Sequence, residues 1–166
     1  MKVLTAFIIG SIALPVLVVL AGVMGFLPSD AISSPPKFES SIGMRALDAS
    51  LERRSKELKN PVQPNDSAAL AAGEKVYENG CAGCHGDAKG PSTWGSRDFY
   101  PRVPQFFQEG SDVTPEEAYA AVHDGIRYSG MGAWRDQMSE ADMWKVSNFV
   151  AQIRTPGDKK MDMDRD

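Results

Sequence analysis

The apolar residues of this chain follow three different patterns along its length. Residues 3–27 form a run without a charged side chain, and residues 43–61 carry a sparse leucine stripe among many charges. After Ser67, apolar residues recur every three or four positions in several segments. These patterns predict, in order, an apolar helix, a surface helix and a set of amphipathic helices that pack together.

Residues 1–27 are predicted to form a single transmembrane helix. A helix over 3–27 would be about 37 Å long, enough to cross a hydrocarbon core of about 30 Å. A cleaved signal peptide is the alternative, because Ser29 and Ala31 could form a small-x-small cleavage site, but its apolar region is usually about 7 to 15 residues long. Lys2 favours a cytoplasmic N-terminus. We therefore expect a single-pass protein of the cytoplasmic (inner) membrane whose remaining chain lies on the periplasmic side.

Residues 28–66 are predicted to form an extended and partly helical tether. The stretch PSDAISSPPKFESS is rich in proline and serine, which favours an extended chain. The stretch GMRALDASLERRSKELKNP places Leu47, Leu51 and Leu58 near one face of a possible helix. So narrow a stripe cannot hold a core alone, so we expect a surface helix or one that packs on a partner subunit.

Residues 67–154 are predicted to form one all-α domain, with no convincing strand pattern. Three segments combine a capping residue with a helical period of apolar positions. The helices begin at Asp66 or Ser67, at Thr114 and at Ser139, and the first two end at Gly80 and Gly125. Residues 155–166 are too polar to pack and are predicted to be a flexible tail.

A loop of 28 residues without any period separates the first of these helices and its following motif from the second. It covers residues 86–113 and is rich in glycine, proline and aromatic residues. Loops this long are uncommon inside compact domains unless something else packs them. A large bound cofactor would supply the missing core.

Charge and cysteine content exclude two classes of protein. Residues 67–166 carry 11 Lys or Arg against 16 Asp or Glu, and the whole chain has a net charge of −4. A nucleic-acid partner is therefore not expected, since no basic stripe is present to bind phosphates. The chain has two cysteines, so it is no disulfide scaffold.

Both cysteines lie in the motif CAGCH, which runs from Cys81 to His85. A structural zinc site needs four nitrogen or sulfur ligands, and a thioredoxin-like dithiol follows a strand; neither pattern is present. Covalent haem attachment needs two thiols three positions apart, which form thioethers with the vinyl groups, and an adjacent imidazole that binds the iron. The motif therefore predicts one covalent haem c.

A second axial ligand is expected well after this motif, and three residues are candidates. Met131 lies in GIRYSGMGAW, a glycine-rich loop where backbone can approach a flat ring closely, and is the best geometric choice. Met138 directly precedes the cap of the last helix, where it could be a core residue. His123 lies inside a predicted helix, where it could be a surface residue.

Four separated motifs occur in a fixed order: AAGEKVYENGCAGCHG, PQF, GIRYSGMGAW and SEADMWKVSNFVAQI. This order resembles the class I c-type cytochromes over residues 67–154. The resemblance implies the class I cytochrome c fold around one covalent haem. It also implies that Cys81 and Cys84 form the thioethers, that His85 is the proximal ligand and that Met131 is the distal ligand.

The same resemblance implies roles for four further residues. Pro104 matches the proline whose carbonyl accepts the proximal imidazole N–H, and Phe106 matches the apolar residue beside it on the haem. Gly73 and Tyr77 match the pair at which the first and last helices cross. The chain departs from many relatives in one respect, because Gly132 rather than proline follows Met131; a looser loop is expected there.

Two axial ligands would leave no position for substrate, so the expected function is electron transfer and not catalysis. The expected partner is a redox protein or a membrane complex, with no small-molecule substrate. If Met131 does not bind the iron, the alternative is a five-coordinate gas sensor or a peroxidase-like protein.

A third hypothesis is a fixed complex subunit, with segment 42–59 and the loop TWGSRDFYPRVPQFF as contacts. Haem-propionate contacts are a further possible role of this loop, for Trp94, Arg97, Tyr100 or Arg102.

Overall fold

The computed structural model describes residues 2–63 and 65–154, with side chains from residue 10 onward. The described chain forms seven helices: α1 (Lys2–Val23), α2 (Lys37–Ser55), α3 (Ser67–Gly80), α4 (Ala82–His85), α5 (Phe106–Glu109), α6 (Pro115–Asp124) and α7 (Glu140–Ala151). Within this described part, the only extended pairing is an isolated bridge between Asp87 and Gly90. The prediction of an all-α domain is therefore confirmed, while the predicted tail over 155–166 lies outside the described residues.

The chain divides into two compact units, residues 1–33 and residues 34–166. The first unit contains α1, which includes Pro15. No helix within the described residues is both long enough and apolar enough to span a membrane. The transmembrane helix predicted over residues 1–27 is thus not confirmed and stays a prediction. Met1 and the side chains of residues 2–9 lie outside the described part.

Side-chain caps begin the three main helices of the second unit where the sequence predicts them. The Asp66 carboxylate accepts hydrogen bonds from the N–H groups of Ala68 and Ala69 in the first turn of α3. Thr114 and Glu117 form a complete capping box at the start of α6, with Pro115 as its first residue. Ser139 accepts from the Asp142 N–H at the start of α7. These bonds satisfy N–H groups that have no partner within the helix.

Helices α3 and α7 cross at Gly73. A Cβ atom at this position would lie 2.2 Å from the Lys145 carbonyl oxygen and 3.0 Å from Phe149 Cβ. One turn later, the Tyr77 ring contacts the Phe149 ring at a centroid distance of 5.5 Å, and Tyr77 is only 1% exposed. The predicted roles of Gly73 and Tyr77 in the crossing are thus confirmed.

Helix α6 covers another side of α7 through a pair of stacked aromatic rings. Tyr119 and Trp144 lie with their centroids 4.0 Å apart and their planes at 15°. Next to them, Val146 and Ser147 of α7 are fully buried. The Ser147 hydroxyl donates to the Met143 carbonyl oxygen at 2.7 Å, which satisfies this buried polar group.

Helix α2 begins earlier than the sequence indicates and packs against α6. The stretch predicted to be extended reaches only to Pro36, because KFESS contains no helix breaker and Glu39 lies in the first turn, where the helix dipole favours an acid. Leu51 is buried, and Arg54 donates to the Ala120 carbonyl oxygen of α6. The predicted tether boundaries are not tested, but its helix makes contacts within this chain.

The segment after α2 is attached to α7 by a pair of amide side chains. Asn60 Nδ2 donates to Asn148 Oδ1 at 2.8 Å, and Asn148 Nδ2 donates back to Asn60 Oδ1 at 3.1 Å. Leu58 and Val62, on either side of Asn60, pack on the buried core. Residues 58–62 therefore extend the core of the domain, which the narrow leucine stripe did not indicate.

Replacing Gly73 with alanine should destabilise the domain. The added methyl group would collide with backbone at Lys145, which can move only if α3 and α7 separate. We expect a loss of about 1–3 kcal/mol in the free energy of unfolding, measured by denaturant titration. The matched control is Gly43→Ala in α2, where a Cβ would meet nothing within 4 Å; we expect a gain of about 0.5–1 kcal/mol there. Equal effects of the two changes would contradict the crossing described here.

Candidate haem-binding site

The two cysteines lie on one helical turn that directly follows α3. The Cys81 N–H donates to the Tyr77 carbonyl oxygen at the end of α3, and the N–H groups of Cys84 and His85 both donate to the Cys81 carbonyl oxygen. Residues three apart on a helix share a face, so both side chains lie on the same side of the turn. Both thiols are free and half-buried.

The state of the thiols disfavours the redox dithiol considered in the sequence analysis. Burial, followed by the charge of Cys84, raises the pKa of the Cys81 thiol to about 11. A reactive dithiol needs a lowered thiol pKa. A zinc site is not supported either, because the described residues contain no cluster of three or more His, Cys, Asp or Glu side chains able to hold a metal ion.

The imidazole of His85 is oriented by two contacts. Its Nδ1 atom lies 3.0 Å from the Pro104 carbonyl oxygen, and its ring stacks on Phe106 with centroids 4.8 Å apart and planes at 11°. Burial lowers the pKa of His85, so the neutral ring is favoured. A neutral imidazole that donates from Nδ1 keeps the Nε2 lone pair for a metal. His85 thus has the orientation and the protonation state of a metal ligand.

Gln105, between Pro104 and Phe106, joins this turn to the long loop. It is 4% exposed, and its Nε2 donates to the carbonyl oxygens of Cys84 and Val103 at 3.0 and 2.9 Å. Its Oε1 accepts from the Ser92 N–H at 2.7 Å. One amide side chain therefore satisfies three backbone groups from three different parts of the chain.

Ser92 and Gly95 bring the start of the loop against the cysteine motif. The Ser92 hydroxyl donates to the Gly83 carbonyl oxygen at 2.7 Å and accepts from the Gly95 N–H at 3.0 Å. A Cβ at Gly95 would lie 2.0 Å from the Cys84 carbonyl oxygen, so the loop backbone passes directly over the motif. On the opposite flank, the Tyr77 hydroxyl donates to the Gly86 carbonyl oxygen at 2.9 Å.

Met131 lies in a tight loop between α6 and α7 whose backbone is fixed at several points. The Ile126 N–H donates to the Met131 carbonyl oxygen at 3.0 Å, and the Met131 N–H donates to the Ser129 hydroxyl at 3.1 Å. Gly125 has a φ of 71°, and a Cβ there would lie 2.8 Å from the Met131 carbonyl oxygen. The loop is therefore closed by its own hydrogen bonds, although glycine and not proline follows Met131.

Of the other two ligand candidates, His123 already has partners, whereas Met138 is packed in the same way as Met131. The His123 ring stacks on Tyr119 at a centroid distance of 5.6 Å, and its Nδ1 lies 2.8 Å from Asp124 Oδ1. Met138 packs against the buried core. Met131 packs against the same core as a half-buried residue.

Of the four residues considered as contacts for haem propionates, three have a hydrogen bond or a ring contact within the polypeptide. Arg102 donates to the Ser96 carbonyl oxygen at 2.9 Å, the Tyr100 hydroxyl donates to Glu39 of α2, and the Trp94 ring lies 5.1 Å from that of Phe99. Arg97 is exposed. Propionate contact by these residues stays a prediction.

The residues present fit a c-type haem. Two free thiols on one turn and an oriented neutral imidazole would supply the attachment groups and a nitrogen ligand, and Met131 would supply a thioether. Half-buried apolar residues also pack on the core of this domain: Ala82, Phe106, Phe107, Val113, Trp134 and Met138.

Sequence reasoning missed Gln105, Ser92 and Gly95. In the motif PQF, only the proline and the phenylalanine were assigned roles, but the side chain of the glutamine between them makes three hydrogen bonds to backbone groups. An amide side chain enclosed by proline and aromatic residues is a signal for a buried polar clamp, since such a group is costly to bury unless it is bonded. The partners of Gln105, however, could be identified only from the structure.

Replacing Gln105 with glutamate should destabilise the domain, because the new side chain has the same shape but lacks the two donors. We expect a loss of about 2–4 kcal/mol in the free energy of unfolding near neutral pH. A buried carboxyl has a raised pKa, so the loss should shrink as the pH is lowered and the carboxyl regains a proton to donate. The control is Gln108→Glu, an exposed position where we expect less than about 0.5 kcal/mol. A destabilisation equal to that of the control, or independent of pH, would be inconsistent with the clamp.

Comparison with known proteins gives one match. The family described as cytochrome c oxidase, cbb3-type, subunit III, matches residues 68–150, which is half of the chain and contains both the cysteine motif and Met131. No curated protein and no solved structure gives a match. Membership of this family implies haem c and an electron-transfer role, in agreement with the class I cytochrome resemblance. The chain belongs to the family of cbb3-type cytochrome c oxidase subunit III and is a c-type cytochrome.

Proposed function

We propose that this protein is a membrane-tethered monohaem cytochrome c that carries single electrons between redox partners of a respiratory or photosynthetic chain. The observation that carries the proposal is the His85 imidazole, which is held by the Pro104 carbonyl oxygen and the Phe106 ring directly behind two free thiols. When bound, haem c supplies reversible one-electron exchange at its iron.

The residues divide the binding task between them. Cys81 and Cys84 form the two covalent links, and since the chain has no further cysteine, one haem is bound. His85 holds the iron through Nε2, while the bond from Nδ1 to Pro104 fixes the ring and raises its basicity. Met131 supplies the second axial ligand from a loop that its own backbone bonds close.

Two axial ligands make this an electron carrier. With both positions held, no site is left for oxygen, peroxide or another small molecule, so the protein exchanges electrons without bond chemistry. A methionine sulfur favours the reduced iron more than a second imidazole would. We therefore expect a positive reduction potential, suited to the high-potential end of a chain.

We further propose that residues 1–27 anchor the protein in the cytoplasmic membrane, with the haem domain on the periplasmic side. The support is the absence of charge between Lys2 and Asp30 in the sequence. Anchoring would raise the effective concentration of the haem domain at a membrane partner. The partner is a redox protein or a membrane complex, and the family's name favours a subunit of an oxidase complex as a second candidate.

Replacing Met131 with leucine should open one side of the iron. We expect the ferric variant to lose the weak red absorption band that methionine ligation gives, and the ferrous variant to bind carbon monoxide readily. Met138→Leu is the matched control and should keep the band and bind carbon monoxide poorly. If the unmodified protein lacks the band and binds carbon monoxide, the five-coordinate sensor or peroxidase-like function is correct instead.

Placing arginine at both Leu14 and Leu17 should release the protein from membranes. Each charge near the centre of a membrane helix costs about 2.5–3.5 kcal/mol of insertion free energy. We expect the unmodified chain in the membrane fraction after a high-salt wash and the double variant in the soluble fraction, with an unchanged haem spectrum. Ile32→Arg, outside α1, should stay in the membrane fraction. Recovery of the unmodified chain in the soluble fraction would refute the anchor.

A further inference from the structure

Helix α2 is joined at its C-terminal end to the last turn of α6. Arg54 Nη1 lies 3.2 Å from Asp124 Oδ2 and 3.4 Å from the Ala120 carbonyl oxygen. Leu51, one turn earlier, is buried, so the contact combines an ion pair with apolar packing. The neighbouring Arg53 is exposed and offers a comparison within the same turn.

Asp124 connects this contact to the segment that carries Met131. Its other carboxylate oxygen lies 3.2 Å from Arg135 Nη1, and Arg135 follows Met131 by four residues. A carboxylate at the C-terminal end of a helix is unfavourable next to the partial negative charge there. Two cations offset this repulsion at Asp124: Arg54 from α2 and Arg135 from the segment that follows Met131.

The backbone at the C-terminal end of α6 is also bonded to the loop that carries Met131. The Trp134 N–H donates to the Val122 carbonyl oxygen at 3.0 Å, and the Ile126 N–H donates to the Met131 carbonyl oxygen at 3.0 Å. Gly125 is in close contact with Met131 and Gly132 backbone. A shift of this turn would therefore move both ends of the loop.

The N-terminal end of α2 is connected to the Met131 loop through Tyr100 and Phe99. Glu39 accepts a hydrogen bond from the Tyr100 hydroxyl. Phe99, the residue before Tyr100, packs so closely on Gly130 that a Cβ there would lie 2.4 Å from the phenyl ring. Gly130 directly precedes Met131. Glu39 and Arg54 are fifteen positions apart, which is about 22 Å along a helix, so a single element makes both contacts.

We propose that α2 is a strap that positions the Met131 loop. Its positioning residues are Arg54 at its C-terminal end and Tyr100 of the long loop, which bonds Glu39 at its N-terminal end. The proposal rests on the proposed role of Met131 as distal ligand. Gly132 leaves the backbone after Met131 less restricted than a proline would. The contacts of α2 compensate by restricting the position of the loop from outside. Loosening either end increases the fraction of molecules in which the Met131 sulfur has left the iron.

The test compares Arg54→Leu with Arg53→Leu in the full-length holoprotein, well below its unfolding temperature. An exposed or half-buried ion pair contributes up to about 1 kcal/mol, so we expect the apparent rate of carbon monoxide binding to the ferrous form to rise about threefold in Arg54→Leu, with a weaker red band in the ferric form. Arg53→Leu should match the unmodified protein. Arg54→Lys, which keeps the charge, should restore most of the band.

Tyr100→Phe tests the other end of the strap by removing one hydroxyl, and it keeps the test decisive if Arg54→Leu does not fold. We expect it to increase carbon monoxide binding in the same direction. An unmodified band and an unchanged binding rate in both Arg54→Leu and Tyr100→Phe would overturn the strap while leaving Met131 ligation intact. A missing band in the unmodified protein would overturn the proposed function, and the strap with it.

Discussion

The hydrogen bond between His85 Nδ1 and the Pro104 carbonyl oxygen is the contact on which the site depends. It joins the helical turn that carries the cysteines to the far end of a long loop with little secondary structure of its own. A loop of this kind has no ladder of backbone bonds to fix its path. The imidazole therefore orders the loop, and the loop in return fixes the orientation of the imidazole.

Gln105 and Ser92 extend this arrangement around the motif. Their side chains bond backbone groups at Gly83, Cys84 and Val103, so the start and the end of the loop are both attached to the cysteine turn. Tyr77 attaches the same turn to α3, whose crossing with α7 at Gly73 is the centre of the fold. Helix packing and site geometry are thus parts of one connected structure.

The helices of the domain were predictable because their signals are local. Thr114 with Glu117, Ser139, and the glycines at positions 80 and 125 mark helix ends by side-chain chemistry that acts within one turn. The CAGCH spacing is local in the same way and indicates its chemistry directly. The role of Pro104, far from the motif in sequence, was indicated only by a resemblance to known cytochromes, whereas Met131 was indicated both by its glycine-rich loop and by that resemblance.

Contacts between distant segments were not predictable from the sequence. Nothing in the residues around Arg54 indicates that its partner is Asp124, seventy positions later. The charged face of α2 is equally consistent with a surface that binds another subunit. The same holds for Tyr100 and Glu39, and for the pairing of Asn60 with Asn148. Each is a polar pair whose partner is set by how the helices pack, and that packing is determined by the whole core.

We propose that a single haem is bound covalently to the cysteine turn and completes the core of this domain. The most direct measurement is the intact mass of the denatured chain after expression together with a haem-attachment system. We expect a chain heavier than the polypeptide by the mass of one haem, and we expect this added mass to be lost when Cys81 and Cys84 are both replaced by serine. A folded protein with the mass of the bare polypeptide would contradict it.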